Sequence, residues 1–429
     1  MKILRNMNKE NISWALYDWA NSAYSTTVIA VFFPVFLTEY WSLGVEASVT
    51  TARLGIANSL SGVILMLTAP FLGTLSDISV SKKKYLLFTT LLGSFSTAML
   101  FFAGRGNWFS ALLLYSVSSI CFSTGIVFYD ALLNSVSDKS KLNFVSSAGY
   151  SFGYLGGGIL LALNIFMTMN YSSFGLNSAE EAVKYSFVSV GIWWIIFAVP
   201  LFLNVRERGE AKQSAGFIKG TAESLRQLLE TFRHIREIKE VYLFLIAYWL
   251  YIDGVDTIIR MAMDFGLSIK LERNSLITAL LITQFVGFPA ALFTGFVFKG
   301  KKGARAGIFF TICVYFLITI FGSLMQNEYH FYILAVTVGL VQGGIQALSR
   351  SYFASIIPHD KDGEFFGFYN MIGKFAVILG PLFIAVTGLA LRNLGFSADS
   401  ASRGGVLSVA FFFISGGLFF YMSGRDRQG

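Results

Sequence analysis

Asp18, Asn21, Ser22 and Ser25 fall at helical spacings on one side of an otherwise apolar run from about Ile12 to Trp41. The run is long enough to cross a bilayer, and an aspartate facing lipid there would cost on the order of 2.5–3.5 kcal/mol. The polar stripe must therefore face a protein interior or a water-filled path. Three further apolar stretches carry such a stripe. One holds Ser116, Ser119, Ser123, Asp130 and Asn134; a second Asp253, Asp256, Thr257, Arg260 and Asp264; a third Gln342, Gln346, Ser349 and Arg350. Carboxylates, amides and a guanidinium converging inside a membrane can bind a small polar solute or carry a proton, the chemistry of a transport route.

Each charge also has a purely structural use. Arg260 is four residues from both Asp256 and Asp264, so it can pair along its own helix. Asp253 has no cation four residues on, which favours function there. Arg350 has a planar fork suited to bidentate capture of a carboxylate. It can equally bridge to Asp130 or Asp18 and close one face of the molecule. Lys374 lies deep in another apolar stretch, where a lysine must find a partner or reach water; Arg53, near a span end, can snorkel. A carboxylate kept from water holds its proton more readily, so Asp18, Asp130 and Asp253 are the candidates for a coupling proton.

The elements that must position these groups follow from composition. Of 429 residues 55% are hydrophobic and 14% charged, against about 25% charged in soluble domains. An integral membrane protein is implied. Twelve segments are long and apolar enough to span: about 13–38, 51–75, 84–104, 108–134, 143–168, 183–203, 240–263, 274–298, 304–325, 330–357, 364–390 and 403–422. With the N-terminus placed in the cytoplasm, the inside segments hold 23 of the 33 Lys and Arg residues. That bias puts both termini inside. The net charge of +8 is thereby explained by topology and gives no support for nucleic-acid binding. The long hydrophilic connection from Asn204 to Glu240 divides the spans six and six. Within it Leu225, Leu228, Leu229, Phe232, Ile235 and Ile238 recur at three- and four-residue steps, the pattern of an amphipathic helix on the inner membrane surface that tethers two halves. The expected organisation is a six-helix bundle over residues 1–205, an amphipathic linker over 206–239 and a second bundle over 240–429.

The halves echo each other weakly: Trp14…Asp18-x-x-Asn21 against Trp249…Asp253-x-x-Asp256, and Asp130-Ala-Leu-Leu-Asn-Ser135 against Gln346-Ala-Leu-Ser-Arg-Ser351. Parallel six-plus-six similarity is the pattern of the major facilitator fold, with its site near mid-membrane between the halves. The striped spans are the first, fourth, seventh and tenth, the cavity-lining positions of that architecture. Gly73-Thr-Leu-Ser-Asp77 followed by Lys82, Lys83 and Lys84 forms the inner turn between spans two and three and matches the loop signature of that superfamily; Gly73, Asp77, Lys82 and Lys83 are expected to gate. The matching turn at Gly295 to Lys299 lacks the aspartate. Gly149, Gly153 and Gly157 make a small-residue face for tight helix packing.

Other signals fail. Gly367 to Lys374 imitates a phosphate loop, but the spacing is one residue too long and Phe375 stands where Ser or Thr is needed. His234, His330 and His359 are scattered, and Cys121 and Cys313 read as packing thiols. No nucleophile, metal or cofactor motif is found, so neither an enzyme nor a cofactor is expected.

Tyr17-Asp-Trp-Ala-Asn-Ser-Ala-Tyr24, Asp253-Gly254, Gln346-Ala-Leu-Ser-Arg-Ser351 and Glu364-Phe-Phe-Gly-Phe-Tyr369 together resemble the vacuole-effluxer-like family of the major facilitator superfamily, over nearly the whole chain. The resemblance implies an all-α membrane protein of twelve helices in two six-helix pseudo-repeats, working by alternating access. Its fungal members are associated with amino-acid export from the vacuole; the short loops here look like a compact bacterial member of the inner membrane. The expected cargo is a small zwitterion, with Arg350 on its carboxylate and Asp18 or Asp253 on its ammonium, moved outward by a monomer and coupled to protons. Asn21, Asp130, Asn134, Asp256, Gln346 and Lys374 complete the candidate substrate or coupling set. A siderophore or other polar metabolite is the alternative cargo, and a non-transporting receptor or scaffold the alternative class.

Overall fold

The computed structural model describes residues 7–79, 82–207, 235–268, 271–358 and 361–424. Twelve of its helices are long and apolar enough to cross a membrane. They are α1 (Lys9–Trp41), α2 (Val49–Asp77), α3 (Lys82–Phe102), α4 (Trp108–Val136), α5 (Leu142–Met169), α6 (Ala179–Asn204), α7 (Lys239–Ile259), α8 (Ser275–Val297), α9 (Gly300–Ser323), α10 (Glu328–Ile356), α11 (Asp362–Asn393) and α12 (Asp399–Met422). The described residues contain no strand. The amphipathic linker expected before α7 lies outside the described residues except for its last turn, where Ile235 is buried.

Local sequence sets the ends and bends of these helices. Asn8 and Asn11 open α1 with reciprocal side-chain-to-backbone caps. The side chains of Asn107, Ser178, Asn327 and Ser397 each accept from a backbone N–H in the first turn of α4, α6, α10 and α12. Five of the six prolines lie inside spans, at Pro34, Pro70, Pro200, Pro289 and Pro381. Each removes one helical N–H, a loss that neighbouring helices make tolerable in a membrane. In α1, Pro34 denies the Ala30 carbonyl its α-helical donor. The chain from Tyr24 to Phe32 is wound in wider π-turns, with the Phe33 N–H reaching back to Val28.

Large apolar side chains such as Leu60, Leu67, Phe88, Phe95 and Leu203 point outward, while the interior collects polar groups. Helix α1 packs on α5 and α6, α3 on α4 and α6, and α2 on α4; α7 packs on α11 and α12, α8 on α10, and α9 on α10 and α12. The two sets meet where α2 lies on α11, α5 on α8 and α10, and α4 on α11. The glycine face of α5 lies on the polar stripe of α1. A Cβ at Gly149 would come within 2.6 Å of Asp18 Oδ2, and one at Gly153 within 2.6 Å of Ser22 Oγ.

One end of the bundle carries the Lys82–Lys84 turn, the start of α1 and the end of α12, and is here termed the basic end. The hydrogen bonds and ion pairs recorded between the two sets of helices run from Asp77 and Gly363 at that end to Tyr154 and Gln346. Towards the opposite, far end, a Cβ at Gly55 or Gly62 of α2 would meet nothing within 4 Å. Among the described residues, the interhelical bonds that join the two sets are thus concentrated towards the basic end.

Candidate functional site

Arg350 on α10 sits at the centre of the closed end and is 2% exposed. Its Nη1 donates to Asp130 Oδ1 on α4 at 3.0 Å, and its Nη2 pairs with Asp18 Oδ2 on α1 at 3.4 Å. The remaining donors go to α5: Nε to Ser146 Oγ and Nη2 to the Ser146 carbonyl, both at 2.9 Å. The guanidinium also lies 4.7 Å from the ring centre of Trp14, 5.4 Å from Tyr129 and 4.3 Å from Tyr150. Every strong donor direction of the fork is used, and aromatic faces flank the plane. Breaking one partner of such a buried pair costs about 3–5 kcal/mol, because the other charge is left without compensation.

The residues of the Tyr17–Tyr24 motif hold this centre in place. Tyr129 donates to Asp18 Oδ2 at 2.8 Å and stacks on Trp14 at 4.3 Å, while the Trp14 indole N–H donates to the Tyr129 carbonyl. Tyr17 bonds Thr90 on α3 at 2.9 Å, Tyr24 bonds Ser118 on α4 at 2.7 Å, and Trp19 stacks on Trp193 of α6. The motif is thus a set of anchors to three neighbouring helices that leaves one carboxylate, Asp18, aimed at Arg350. Asn21 is buried, 3% exposed, one turn further along.

Around this pair a second ring of polar contacts seals the basic end. Asn370 of α11 donates to Asp130 Oδ2 at 3.2 Å. Asn134 reaches from α4 to the Ala354 carbonyl at 3.2 Å and to Asp362 Oδ1 at 2.7 Å. Asn143 donates to the carbonyls of Phe298 and Gly300 at 2.6 and 2.8 Å. Below it, Asp77 accepts from the backbone N–H groups of Gly363 and Glu364 at 3.0 and 2.8 Å, which caps the first turn of α11. Lys82 pairs with Asp77 at 2.7 Å. Lys83 instead donates to the Val205 carbonyl at 2.6 Å, while Glu207 accepts from the N–H groups of Lys82 and Lys83. Gly73 crosses Gly363 so closely that a Cβ at Gly73 would strike the Gly363 carbonyl. The turn therefore clamps α2 to α11.

Asp253 on α7 stands apart from this cluster and is fully buried. Its Oδ1 accepts from the Gly380 N–H of α11 at 2.9 Å and from Thr257 Oγ1 at 3.4 Å, and its Oδ2 has no hydrogen-bond partner among the described residues. Asp256 and Lys374 are half-buried, as is Gln346, whose Oε1 accepts from Tyr154 of α5 at 3.4 Å. The pairings expected of Arg260 with Asp256 and Asp264 fall outside the described side chains. The structure thus brings Asp18, Asp130, Asn134 and Arg350 into one seal, sets Gly73, Asp77 and Lys82 beneath it, and leaves Asp253 on a separate contact.

Several participants escape a reading of the chain alone. Ser146, Tyr129 and Tyr150 are uncharged residues in apolar context, and nothing in their spacing marks them. Asn370 and Asp362 flank the Glu364–Tyr369 segment and only that proximity hints at them. Glu207 is one of many charges in a hydrophilic connection.

Twelve spans, a seam between two sets of six and an interhelical seal towards one end of that seam define the class of the major facilitator superfamily transporters. Residues 6–390 match the model of the family described as vacuole effluxer Atg22 like, and the chain belongs to that family. It is 39% identical to the MFS-type transporter YxiO of Bacillus subtilis, across 90% of either chain. It is 21% identical to autophagy-related protein 22 of Eremothecium gossypii, across 91% of this chain and 87% of that one. In fold it is similar to the crystal structure of the human organic anion transporter MFSD10, with a TM-score of 0.72 at 12% identity, covering 96% of this chain and 99% of that one.

Proposed function

We propose that this MFS-type transporter moves small zwitterions, chiefly neutral amino acids, outward across a bacterial inner membrane, as a proton-coupled monomer with both termini in the cytoplasm. In this reading residues 1–205 and 240–429 are two six-helix bundles that rock about a central site, joined by the 206–239 tether. The packing of α1 to α6 and of α7 to α12 among themselves supports that division. The observation that carries the proposal is the Arg350–Asp18–Asp130 seal, which joins α10 to α1 and α4 and must part before the basic end opens.

A substrate carboxylate reaches Arg350 only by displacing Asp18 or Asp130. Binding and unlocking then become one event, and the freed aspartate is left to meet the substrate ammonium. Differential binding of this kind is what allows a solute to shift the balance between two open faces. Asn21, Gln346, Asp256 and Lys374 supply neutral and charged groups further along the route.

The test is flux of a labelled amino-acid mixture in proteoliposomes, with and without a pH gradient, for the wild type and Arg350→Ala. Saturable, pH-sensitive flux that the substitution abolishes supports the proposal. A well-folded wild type that moves none of the mixture removes the amino-acid assignment and puts a siderophore or other polar metabolite in its place.

A further inference from the structure

Of the buried carboxylates on the route, two have a cation and one does not. Asp18 and Asp130 share Arg350, with Tyr129 and Asn370 adding neutral donors. Asp253 is 0% exposed and, among the described residues, forms no ion pair and has a buried Oδ2 with no hydrogen-bond partner. An ionised carboxylate in that setting would carry an uncompensated charge, whereas the neutral acid loses far less on burial.

The contact is built with unusual closeness at one point of α11. The Gly380 N–H donates to Asp253 Oδ1, and a Cβ at Gly380 would run into Thr257 Oγ1 and come within 2.8 Å of Asp253 Oδ1. The next residue, Pro381, has no N–H and interrupts the helical ladder at the same place. Side chain, glycine and proline thus coincide at a weak point of α11, beside an acid shut off from water. Charged and titratable groups on the elements around it include Asp256, Tyr248 and Tyr251 on α7, Tyr315 on α9, Lys374 and Tyr369 on α11, Arg350 and Tyr352 on α10, and Asp399 and Arg403 on α12, while the side chain of Arg260 lies outside those described. None of these forms a recorded ion pair or hydrogen bond with Asp253.

We propose that Asp253 is a proton-binding site that latches α11 to α7 at Gly380–Pro381, and that loss of its proton accompanies movement of α11. The proposal rests on the transporter reading above but not on its cargo. Only the O–H bond at the carboxyl is broken; the proton passes to water that enters as the two helices part. Because the dry contact belongs to the arrangement in which the basic end is sealed, a bound proton favours that arrangement. Acid therefore stabilises it and alkali releases it.

The experiment is a distance measurement between spin labels on the full chain in lipid nanodiscs, at Ala52→Cys and Asn393→Cys on a Cys313→Ser background. The labels report the far ends of α2 and α11. The wild type is expected to hold the long distance at mildly acid pH and to gain a shorter population on alkalinisation. Asp253→Asn, which imitates the neutral acid, is expected to keep the long distance throughout. Asp253→Glu is expected to respond with a displaced midpoint, while Asp18→Asn and Asp130→Asn keep a pH response. A wild-type response in Asp253→Asn, an unmoved midpoint in Asp253→Glu, or the same shift produced by sodium at fixed pH overturns the proposal. No solute is needed, so failure of amino-acid flux would leave this result standing.

Discussion

At the scale of the residue, the decisive group is the Arg350 guanidinium. It holds two carboxylates, one serine and three aromatic rings on three other helices. Lysine would keep the charge but lose the fork, so it can satisfy fewer of these directions. Arg350→Ala is expected to withdraw about 3–5 kcal/mol from the closed basic end. A cysteine placed at the fully buried Ser147 should then react with maleimide at least roughly tenfold faster than in the otherwise unchanged protein. Arg350→Lys should fall between the two. Equal labelling in all three would show that the seal does not hold the basic end shut.

At the scale of the element, closure of the basic end depends on how α2 meets α11. Asp77 caps the first turn of α11 and takes the charge of Lys82, whereas Lys83 is tied to the end of α6 through Val205. Asp77→Ala is expected to weaken the closed state by about 0.5–2 kcal/mol, the usual worth of a cap. Lys83→Ala should leave that balance nearly unchanged. Gly73→Val should be the most severe of the three, because its side chain would occupy the space of the Gly363 carbonyl. It should trap the molecule open at the basic end. Solute-independent labelling of the Ser147 cysteine ranks them; a Lys83→Ala effect as large as that of Asp77→Ala would refute this division of labour.

At the scale of the whole molecule, the concentration of interhelical bonds at the basic end acquires a direction only once each end is assigned to a side of the membrane. In the orientation proposed from the distribution of Lys and Arg, with the basic end in the cytoplasm, the sealed face is the inner one. Cysteines at the exposed positions Lys84 and Glu180 test that assignment with a membrane-impermeant reagent on intact cells. Glu180→Cys should label at once and Lys84→Cys only after permeabilisation. The reverse pattern would invert the inferred direction of every step.

Much of the fold was legible in the chain because bilayer thickness imposes it. A span needs about twenty apolar residues, so twelve helices could be counted without knowing how any two of them pack, and the Tyr17–Tyr24 motif marked the family. The polar residues on α1, α4 and α10 could also be picked out, because the cost of facing lipid puts polar groups on the protein side of a helix. A bridge from Arg350 to Asp130 or Asp18 stood only as one of two alternatives, since Asp18 and Arg350 are 332 residues apart and neither periodicity nor spacing reports on contacts between helices. Only the tertiary structure decided that Arg350 lies inside a seal and is not open to the route, and that Asn134 and Asp77 join one half to the other. It also decided that Asp253 has no cation among the described residues and rests on a backbone N–H of α11. These are matters of distance and burial, and the chain acquires them only when its helices pack.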